Sequence, residues 1–305
     1  MANPKLIKKR VTSINNIKKI TKALEMVSAS KVQKAQTAAL NAKPYARLIY
    51  ELVNSLSGDI KLTEIPLMRV PDKSTSDLYI IVSTNRGLAG SLNTNLFKFL
   101  TIQLAKLSGR DNSFVTVGKK GRSFAVSSGR LLADFSEDKD LGSVVSAVTR
   151  LITDGFVDGE FGAVYIAYSE FINALKQEPR VKQLLPILKS TLLEEGEEHF
   201  DLYGKSAHLS SDSTSDLRYS YEPDPVEVLR MLLPFYLEIQ VAESIYESSA
   251  SEHSARMIAM KNATENATEL SASLSLEYNK ARQTLITGEL SDITTALVSL
   301  PSHYE

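Results

Sequence analysis

Two glycine-containing loops are the places where this sequence could bind a phosphate. The first is NRGLAGSLN at 85–93, after a strand-like run, and the second is Gly118-Lys119-Lys120-Gly121, after the next such run. Backbone amides at the start of a helix that follows a strand can hold a phosphate group. Neither loop has the GxGxxG or GxxxxGK[ST] spacing of a nucleotide site. We interpret both as tight strand-to-helix turns and predict no nucleotide hydrolysis by this chain alone.

Acid–base and metal chemistry have equally little support. A hydrophilic run contains Asp134, Glu137, Asp138 and Asp140, but a general base needs a pocket and a shifted pKa, so we expect a solvated surface there. The chain has no cysteine and only four histidines, which are far apart in the sequence. Thiol chemistry is excluded, and no histidine cluster indicates a metal. We predict no catalytic residue, no metal and no cofactor.

The charge of the chain is strongly polarised. Residues 1–50 contain eleven lysines and arginines against one acid, Glu25, whereas residues 240–305 contain nine acids and four bases. Nucleic-acid-binding proteins can show such asymmetry, but a basic helix beside an acidic one explains it as well. We favour the pairing of two helices and predict no nucleic-acid partner.

The two ends of the chain are predicted to be long helices. Residues 235–287 contain neither glycine nor proline, and neither does the segment 5–43. An average helix has about 11–12 residues, whereas the longer of these segments would extend about 80 Å as a helix. Apolar or small residues recur three and four apart in both. They are Ile7, Val11, Ile14, Ile17, Ile20, Leu24 and Val27 in the first, and Met257, Met260, Thr264, Ala267, Leu270, Leu274, Tyr278, Ala281 and Leu285 in the second. We predict an antiparallel coiled coil without strict heptads.

The start of the last helix is marked by the sequence EPDP. Asp224 can cap the helix, Pro225 suits its first position and Glu227 can complete a capping box. Pro234 follows about two turns later, where proline costs about 3 kcal/mol in a regular helix. We therefore expect a kink or a local rearrangement at Pro234.

The middle of the chain alternates strand-like and helix-like runs. They are DLYIIVST, LFKFLTIQLAKL, SFVTVG, KKGRSFAV, LLADFS, VVSAVTRLI and AVYIAYSEF. Such alternation predicts a parallel or mixed sheet with helices on its faces. The polar stretch 194–216 is expected to be an exposed loop or hairpin before a strand LRYSYE. The predicted fold is thus α/β plus long helices, divided into an N-terminal coiled-coil helix (1–60), a linker (61–76), a central Rossmann-like α/β domain (77–221) and a C-terminal coiled-coil helix (222–305).

No apolar run reaches the roughly 20 residues that a membrane-spanning helix needs, and the basic start MANPKLIKKR is not followed by the apolar core of a signal peptide. We expect a cytoplasmic, bacterial-type chain. One functional alternative is a nucleotide-binding α/β enzyme that dimerises through its terminal helices, against which the missing phosphate fingerprint counts. Another is a free-standing coiled-coil scaffold, which would need no α/β domain between its helices.

Several longer motifs carry a resemblance to a known family. They are KKITKALEMVSASKVQKAQ at 18–36, NRGLAGSLNTNLF at 85–97, RVKQLLPI at 180–187, YEPDP at 221–225, ASEHSARMIAMKNATENA at 250–267 and YNKARQTLIT at 278–287. In this order, over almost the whole chain, they resemble the γ subunit of F-type ATP synthases. Three departures stand out: RGLAGS replaces the more usual RGLCGG, Gly288 replaces a helix-favouring residue, and the tail TTALVSLPSHYE is unusual.

The resemblance implies a rotor subunit without a catalytic site of its own. The paired terminal helices would enter the hexamer of α and β subunits, while the middle domain would rest on the c-ring together with subunit ε. Rotation would then couple proton transport to ATP synthesis or hydrolysis at the β subunits. We expect one copy per complex, held peripherally at the cytoplasmic face of the bacterial plasma membrane. A chloroplast protein is not expected, because the redox-regulated cysteine insertion is missing.

The resemblance also implies partner-binding residues. Arg282 and Gln283 match a pair that contacts a catch loop on β, and the region around Leu24 would face an acidic lever of β. The basic residues Lys18, Lys22 and Lys31 would attract that lever without holding it tightly, because strong fixed ion pairs would impede turning.

Overall fold

A computed structural model describes residues 3–56, 65–69, 71, 76–106, 111–137, 140–188 and 222–299. The loop expected at 194–216, the strand expected at LRYSYE and Asp138 lie outside these residues. The helices are α1 (Pro4–Leu56), α2 (Leu92–Lys106), α3 (Lys119–Ser128), α4 (Leu141–Val157) and α5 (Pro225–Ser299), with a short 3₁₀ helix at Pro66–Met68. The strands are β1 (Ser76–Val82), β2 (Asp111–Val117), β3 (Arg130–Asp134), β4 (Val164–Phe171) and β5 (Gln177–Leu185).

The five strands form one mixed sheet in the order β3-β2-β1-β4-β5. The first four run parallel to one another, and β5 pairs antiparallel with β4 at one edge. This confirms the predicted α/β fold with a parallel or mixed sheet. Strand β5 was not predicted, although part of it belongs to the motif RVKQLLPI.

Both faces of the sheet are covered. Successive side chains of a strand point to opposite sides, and on β1 both sets are buried. On β1, Leu78 and Ile80 face one core, which includes α4 and the first turns of α5. Tyr79 and Ile81 face the other, which includes α2 and α3. The strand is therefore apolar along its length, as expected for a parallel strand covered on both sides.

Helix α5 begins where the sequence predicted. The Asp224 carboxylate accepts a hydrogen bond from the Val226 amide at 2.7 Å, and Pro225 is the first helical residue. Glu227 pairs with Arg230 at 3.0 Å. The helix continues without interruption through Pro234, so the expected rearrangement does not break it.

Two compact units divide the chain: residues 1–29 with 256–305, and residues 30–255. Helices α1 and α5 each contribute to both units. In the second unit, apolar residues of α5 at four-residue spacing pack on the sheet: Leu229, Leu233, Leu237, Val241 and Ile245. The predicted division into four consecutive segments stays a prediction. The two units are defined by contacts between residues, and their boundaries fall inside α1 and α5.

The first unit is a pair of helices, and two hydrogen bonds establish its direction. The Thr264 hydroxyl donates to the Thr21 hydroxyl at 2.8 Å, and the Ser271 hydroxyl donates to the Asn15 side-chain oxygen at 2.9 Å. Residue numbers fall along α1 as they rise along α5, so the helices are antiparallel. This confirms the predicted antiparallel coiled coil.

The contact line between these helices, which we call the seam, differs from the predicted one. Its buried and half-buried residues alternate at spacings of four and three. They are Ile7, Val11, Ile14, Lys18, Thr21, Glu25 and Ser28 on α1, and Met260, Thr264, Ala267, Ser271, Leu274, Tyr278 and Ala281 on α5. The heptads are therefore regular, and the expectation of a coiled coil without strict heptads was wrong. Five of the predicted seam residues are exposed instead: Ile17, Ile20, Val27, Leu270 and Leu285.

Tyr168 of β4 gives the second unit a predicted sensitivity to alkaline pH. Burial raises the pKa of this phenol well above 10, and the nearby Glu247 carboxylate raises it further. Above pH of about 10 the unfolded phenol loses its proton while the folded one keeps it, so the free energy of unfolding falls as pH rises. We expect Tyr168→Phe to reduce this loss by up to about 1.4 kcal/mol per pH unit. Urea unfolding between about pH 9 and pH 11 measures it, with Tyr278→Phe on the helix pair as the control for losing a tyrosine.

Candidate partner-binding site

The two residues expected to contact a partner near the end of α5 are both exposed. Arg282 and Gln283 directly follow Ala281, the last half-buried seam residue. Their side chains therefore lie outside the seam and are free to meet another protein.

Helix α5 extends past the start of α1. The register set by the Thr21–Thr264 and Asn15–Ser271 contacts places Pro4, the first residue of α1, beside Ala281. Beyond that point α5 continues to Ser299. This overhang carries exposed apolar residues at spacings of four, three and four: Ile286, Leu290, Ile293 and Leu297. A regular apolar stripe in the open is typical of a helix that binds a partner.

The expected basic residues occupy different environments on α1. Lys18 is half-buried on the seam and Leu24 is half-buried beside it, whereas Lys22 is exposed. The Lys22 ammonium lies 2.9 Å from the Glu25 carboxylate. Lys31 is exposed too, but it belongs to the second compact unit.

The structure does not bring all of these residues together. In the register of the helix pair, Leu24 lies beside Lys261 of α5. Arg282 is 21 residues further along the same helix, which is about 30 Å at about 1.5 Å per residue. The helix pair therefore has two separate candidate surfaces along its length. One is at the level of Lys22 and Leu24, whose side chains point about 160° apart around α1, and the other is at Arg282 and Gln283.

Sequence reasoning missed a set of outward-facing apolar side chains near the first surface. Ile17, Ile20, Met26 and Val27 are large and exposed, although three of them were assigned to the seam. Ile17, Ile20 and Val27 lie on one side of α1 by helical spacing, and exposed apolar residues grouped in this way mark interaction sites. The sequence did contain one signal for them: α1 has more apolar residues than a seam with four–three spacing can bury.

The second glycine loop, Gly118-Lys119-Lys120-Gly121, is a turn held by the protein's own atoms. The first three amides of α3 donate hydrogen bonds to the loop after β1. Lys119 donates to the Asn85 side chain at 3.1 Å, Lys120 to the Thr84 carbonyl at 3.1 Å, and Gly121 to the Ser83 hydroxyl at 2.8 Å. The atoms that would hold a phosphate at α3 are therefore occupied.

Two of the acids in the run 134–140 have structural roles. The Asp134 carboxylate accepts hydrogen bonds from the Thr116 hydroxyl at 2.9 Å and from Ser136, and it lies 3.6 Å from the Arg122 guanidinium. Asp140 caps α4 through the Ser143 amide at 3.2 Å. These contacts explain both acids without catalysis.

In the part of the chain that the structure describes, no helix is both long and apolar enough to cross a bilayer.

Comparison with solved structures identifies the same fold elsewhere. The chain is similar to the rotor of the mitochondrial ATP synthase of Euglena gracilis, with a TM-score of 0.59 at 19% identity, over 93% of this chain and 98% of that one. It is also similar to a chain of the central stalk and c-ring structure of the Tetrahymena thermophila enzyme, with a TM-score of 0.55 at 20% identity, over 80% of this chain and 99% of that one. At these identities the likeness concerns the fold.

Sequence comparison identifies the family. A family model described as ATP synthase matches residues 3–300. The ATP synthase gamma chain of Opitutus terrae is 38% identical over 299 residues, which cover 97% of this chain and 98% of that one. The ATP synthase gamma chain of Chloroflexus aurantiacus is 38% identical over 313 residues, which cover 99% and 100%. With both full-length relatives and the family model in agreement, the chain belongs to the gamma-subunit family of the ATP synthases.

Proposed function

We propose that the chain is the central rotor shaft of an F-type ATP synthase and has no catalytic site of its own. It transmits torque between the proton-driven c-ring and the catalytic hexamer of α and β subunits. The observation that carries this proposal is the antiparallel helix pair with a regular seam inside and apolar and basic side chains outside. A shaft needs a tightly joined interior and an exterior that contacts its surroundings.

The seam supports the mechanical part of this role. Knobs-into-holes packing at four–three spacing joins two helices along their length, and two helices joined in this way resist bending and twisting better than one. The small seam residues Ala267, Thr264 and Thr21 allow close approach, and the Thr21–Thr264 and Asn15–Ser271 hydrogen bonds oppose sliding. Torque applied at one end of the pair then reaches the other end.

The exterior supports the coupling part. A rotor changes the conformational equilibrium of a surrounding subunit only if it contacts the alternative states differently. The helix pair presents basic, apolar and polar side chains at different positions around its axis, so each β subunit meets a different surface as the shaft turns. Nucleotide affinity at the three β subunits would then change in sequence.

We assign partner contacts to the two candidate surfaces. Arg282 and Gln283 contact a catch loop of β, while Leu24, Lys18, Lys22 and Lys31 face an acidic lever of β. Subunit ε and the c-ring bind the part of the chain that contains the α/β domain. This arrangement makes the chain a peripheral subunit, in one copy, at the cytoplasmic face of a bacterial plasma membrane.

The rival proposal is a nucleotide-binding enzyme that dimerises through the helices. The occupied amides of α3 count against it, and so do the structural contacts of Asp134 and Asp140. If the purified chain hydrolysed ATP by itself, or bound ATP at α3, the enzyme proposal would replace the rotor proposal.

Co-expression with cognate α and β subunits tests the proposal directly. We expect a complex of three α, three β and one copy of this chain that hydrolyses ATP, and Arg282→Ala with Gln283→Ala should reduce its turnover or rotational torque without preventing assembly. The free energy of unfolding should change by less than about 0.5 kcal/mol, because both residues are exposed. Single-molecule rotation and ATPase assays measure the effect.

A matched control is Lys280→Ala with Asn279→Ala, which removes another exposed cation and amide from the same helix. It should impair rotation less than the tip substitutions do. Normal rotation of the Arg282/Gln283 variant would remove the assigned role of the tip, and failure of the parent chain to join the complex would refute the rotor function itself.

A further inference from the structure

Glu25 is unusual because it is an acid on the seam of a basic helix. It is the single acid among residues 1–50, and its side chain is only 17% exposed. One carboxylate oxygen, Oε1, accepts a hydrogen bond from the Lys22 ammonium at 2.9 Å. The other, Oε2, is buried and meets no hydrogen-bond donor in the described part of the chain. Glu25 is thus held in place by the seam.

Lys22 differs from Glu25 in its freedom to move. Its side chain is 56% exposed, and an ion pair with one partner in water is weak and exchanges readily. Lys22 can therefore leave Glu25 for another carboxylate, whereas Glu25 cannot follow it out of the seam. The pair behaves as a fixed acceptor with a mobile cation.

The surroundings of Lys22 favour an acidic partner. Lys18 and Lys19 lie within about one turn of Lys22, and four more exposed cations follow about 18–26 Å along the same helix: Lys5, Lys8, Lys9 and Arg10. A surface of one sign attracts a partner of the opposite sign. An approaching acidic protein segment would compete with Glu25 for Lys22.

We propose that Glu25 is a positioning residue that competes with an acidic partner segment for Lys22 and so keeps that intermolecular ion pair short-lived. The inference rests on the rotor function proposed above, because a lasting ion pair matters most on a surface that must move past its partner. After each rotational step, Lys22 can form its ion pair with Glu25 again. Removal of Glu25 leaves Lys22 available to the partner alone.

The test uses the assembled complex of α, β and this chain carrying Glu25→Gln, which keeps the shape of the side chain and removes its charge. We expect rotation at low ionic strength to slow by about two- to fivefold, the range that a weak ion pair can supply. The slowing should disappear in concentrated salt, because the screening length falls from about 10 Å at 0.1 M to about 3 Å at 1 M. Rotation rate and pause duration against salt concentration are the measurements.

Two further variants separate competition from a structural effect. Glu269→Gln removes the same charge from an exposed position of the helix pair and should not slow rotation. Lys22→Gln combined with Glu25→Gln should rotate at the same rate as Lys22→Gln alone, because without Lys22 there is no cation for which Glu25 and the partner compete.

The inference is overturned if Glu25→Gln rotates at the parent rate, if its slowing persists in concentrated salt or in the Lys22→Gln background, or if the variant fails to assemble. A parent complex that assembled but did not rotate would instead count against the rotor function.

Discussion

Gly118→Ala is expected to destabilise the α/β unit strongly. Gly118 has a φ of +99°, a conformation that side chains rarely adopt, and an added Cβ would lie 2.0 Å from the Ser83 carbonyl oxygen. The unfavourable backbone costs about 1–3 kcal/mol, and the collision with a backbone atom adds to it. We expect a loss of about 3 kcal/mol or more in the free energy of unfolding.

Urea unfolding followed by circular dichroism measures this loss. Gly87→Ala is the matched control, because a Cβ at Gly87 would have no neighbour within 4 Å. The control should stay within about 0.5 kcal/mol of the parent chain. Equal stability of the two variants would mean that the turn from β2 into α3 does not have the backbone conformation described.

Leu237→Ala is the second substitution expected to have a large effect. Leu237 is completely buried between α5 and the sheet, in the same apolar cluster as Leu233 and Val241. Truncation of a buried leucine removes apolar contacts and leaves a cavity, at a cost of about 2–5 kcal/mol. Thermal or urea unfolding of the full chain measures that cost.

Phe235→Ala provides the comparison on the same turn of α5. Phe235 is larger than Leu237 but 52% exposed, so its truncation should cost much less. If both variants lost equal stability, the face of α5 that packs on the sheet would be assigned wrongly.

The elements with strong local signals were predicted well from the sequence. The strand–helix alternation through β4 and the start of α5 at Pro225 follow from apolar runs and capping residues that neighbour each other in the chain. Strand β5 was missed because it contains Pro179 and several charged residues. Its position at the edge of the sheet explains why these residues are tolerated, since an edge strand leaves some amides unpaired. Edge position is a property of the assembled sheet.

The seam shows a different limit. A search for apolar residues three or four apart selected Ile17, Ile20 and Val27, which are exposed, and passed over the polar residues that lie between the helices. Strict heptad counting from Ile7 would have located Thr21 and Ser28. The sequence also could not distinguish the part of α5 that packs on a sheet from the part that packs on a helix, because both use apolar residues at three- and four-residue spacing.

The candidate site depended on the resemblance to the family more than on the residues alone. Arg282 and Gln283 are exposed polar residues near the end of a long helix, and their types and spacing would fit any solvated surface. Their role stays a prediction. The exposed apolar residues and the Lys22–Glu25 pair became recognisable only when the seam was known, because exposure is defined by what the other helix covers.

The loop that occupies the start of α3 has a consequence for protein engineers who would add a cofactor to this fold. Freeing the α3 amides requires the removal of three different acceptors: the hydroxyl of Ser83, the side-chain carboxamide of Asn85 and the main-chain oxygen of Thr84. No side-chain substitution at Thr84 removes the last of these. A route to dinucleotide affinity would therefore begin with a redesigned loop length rather than with point mutations.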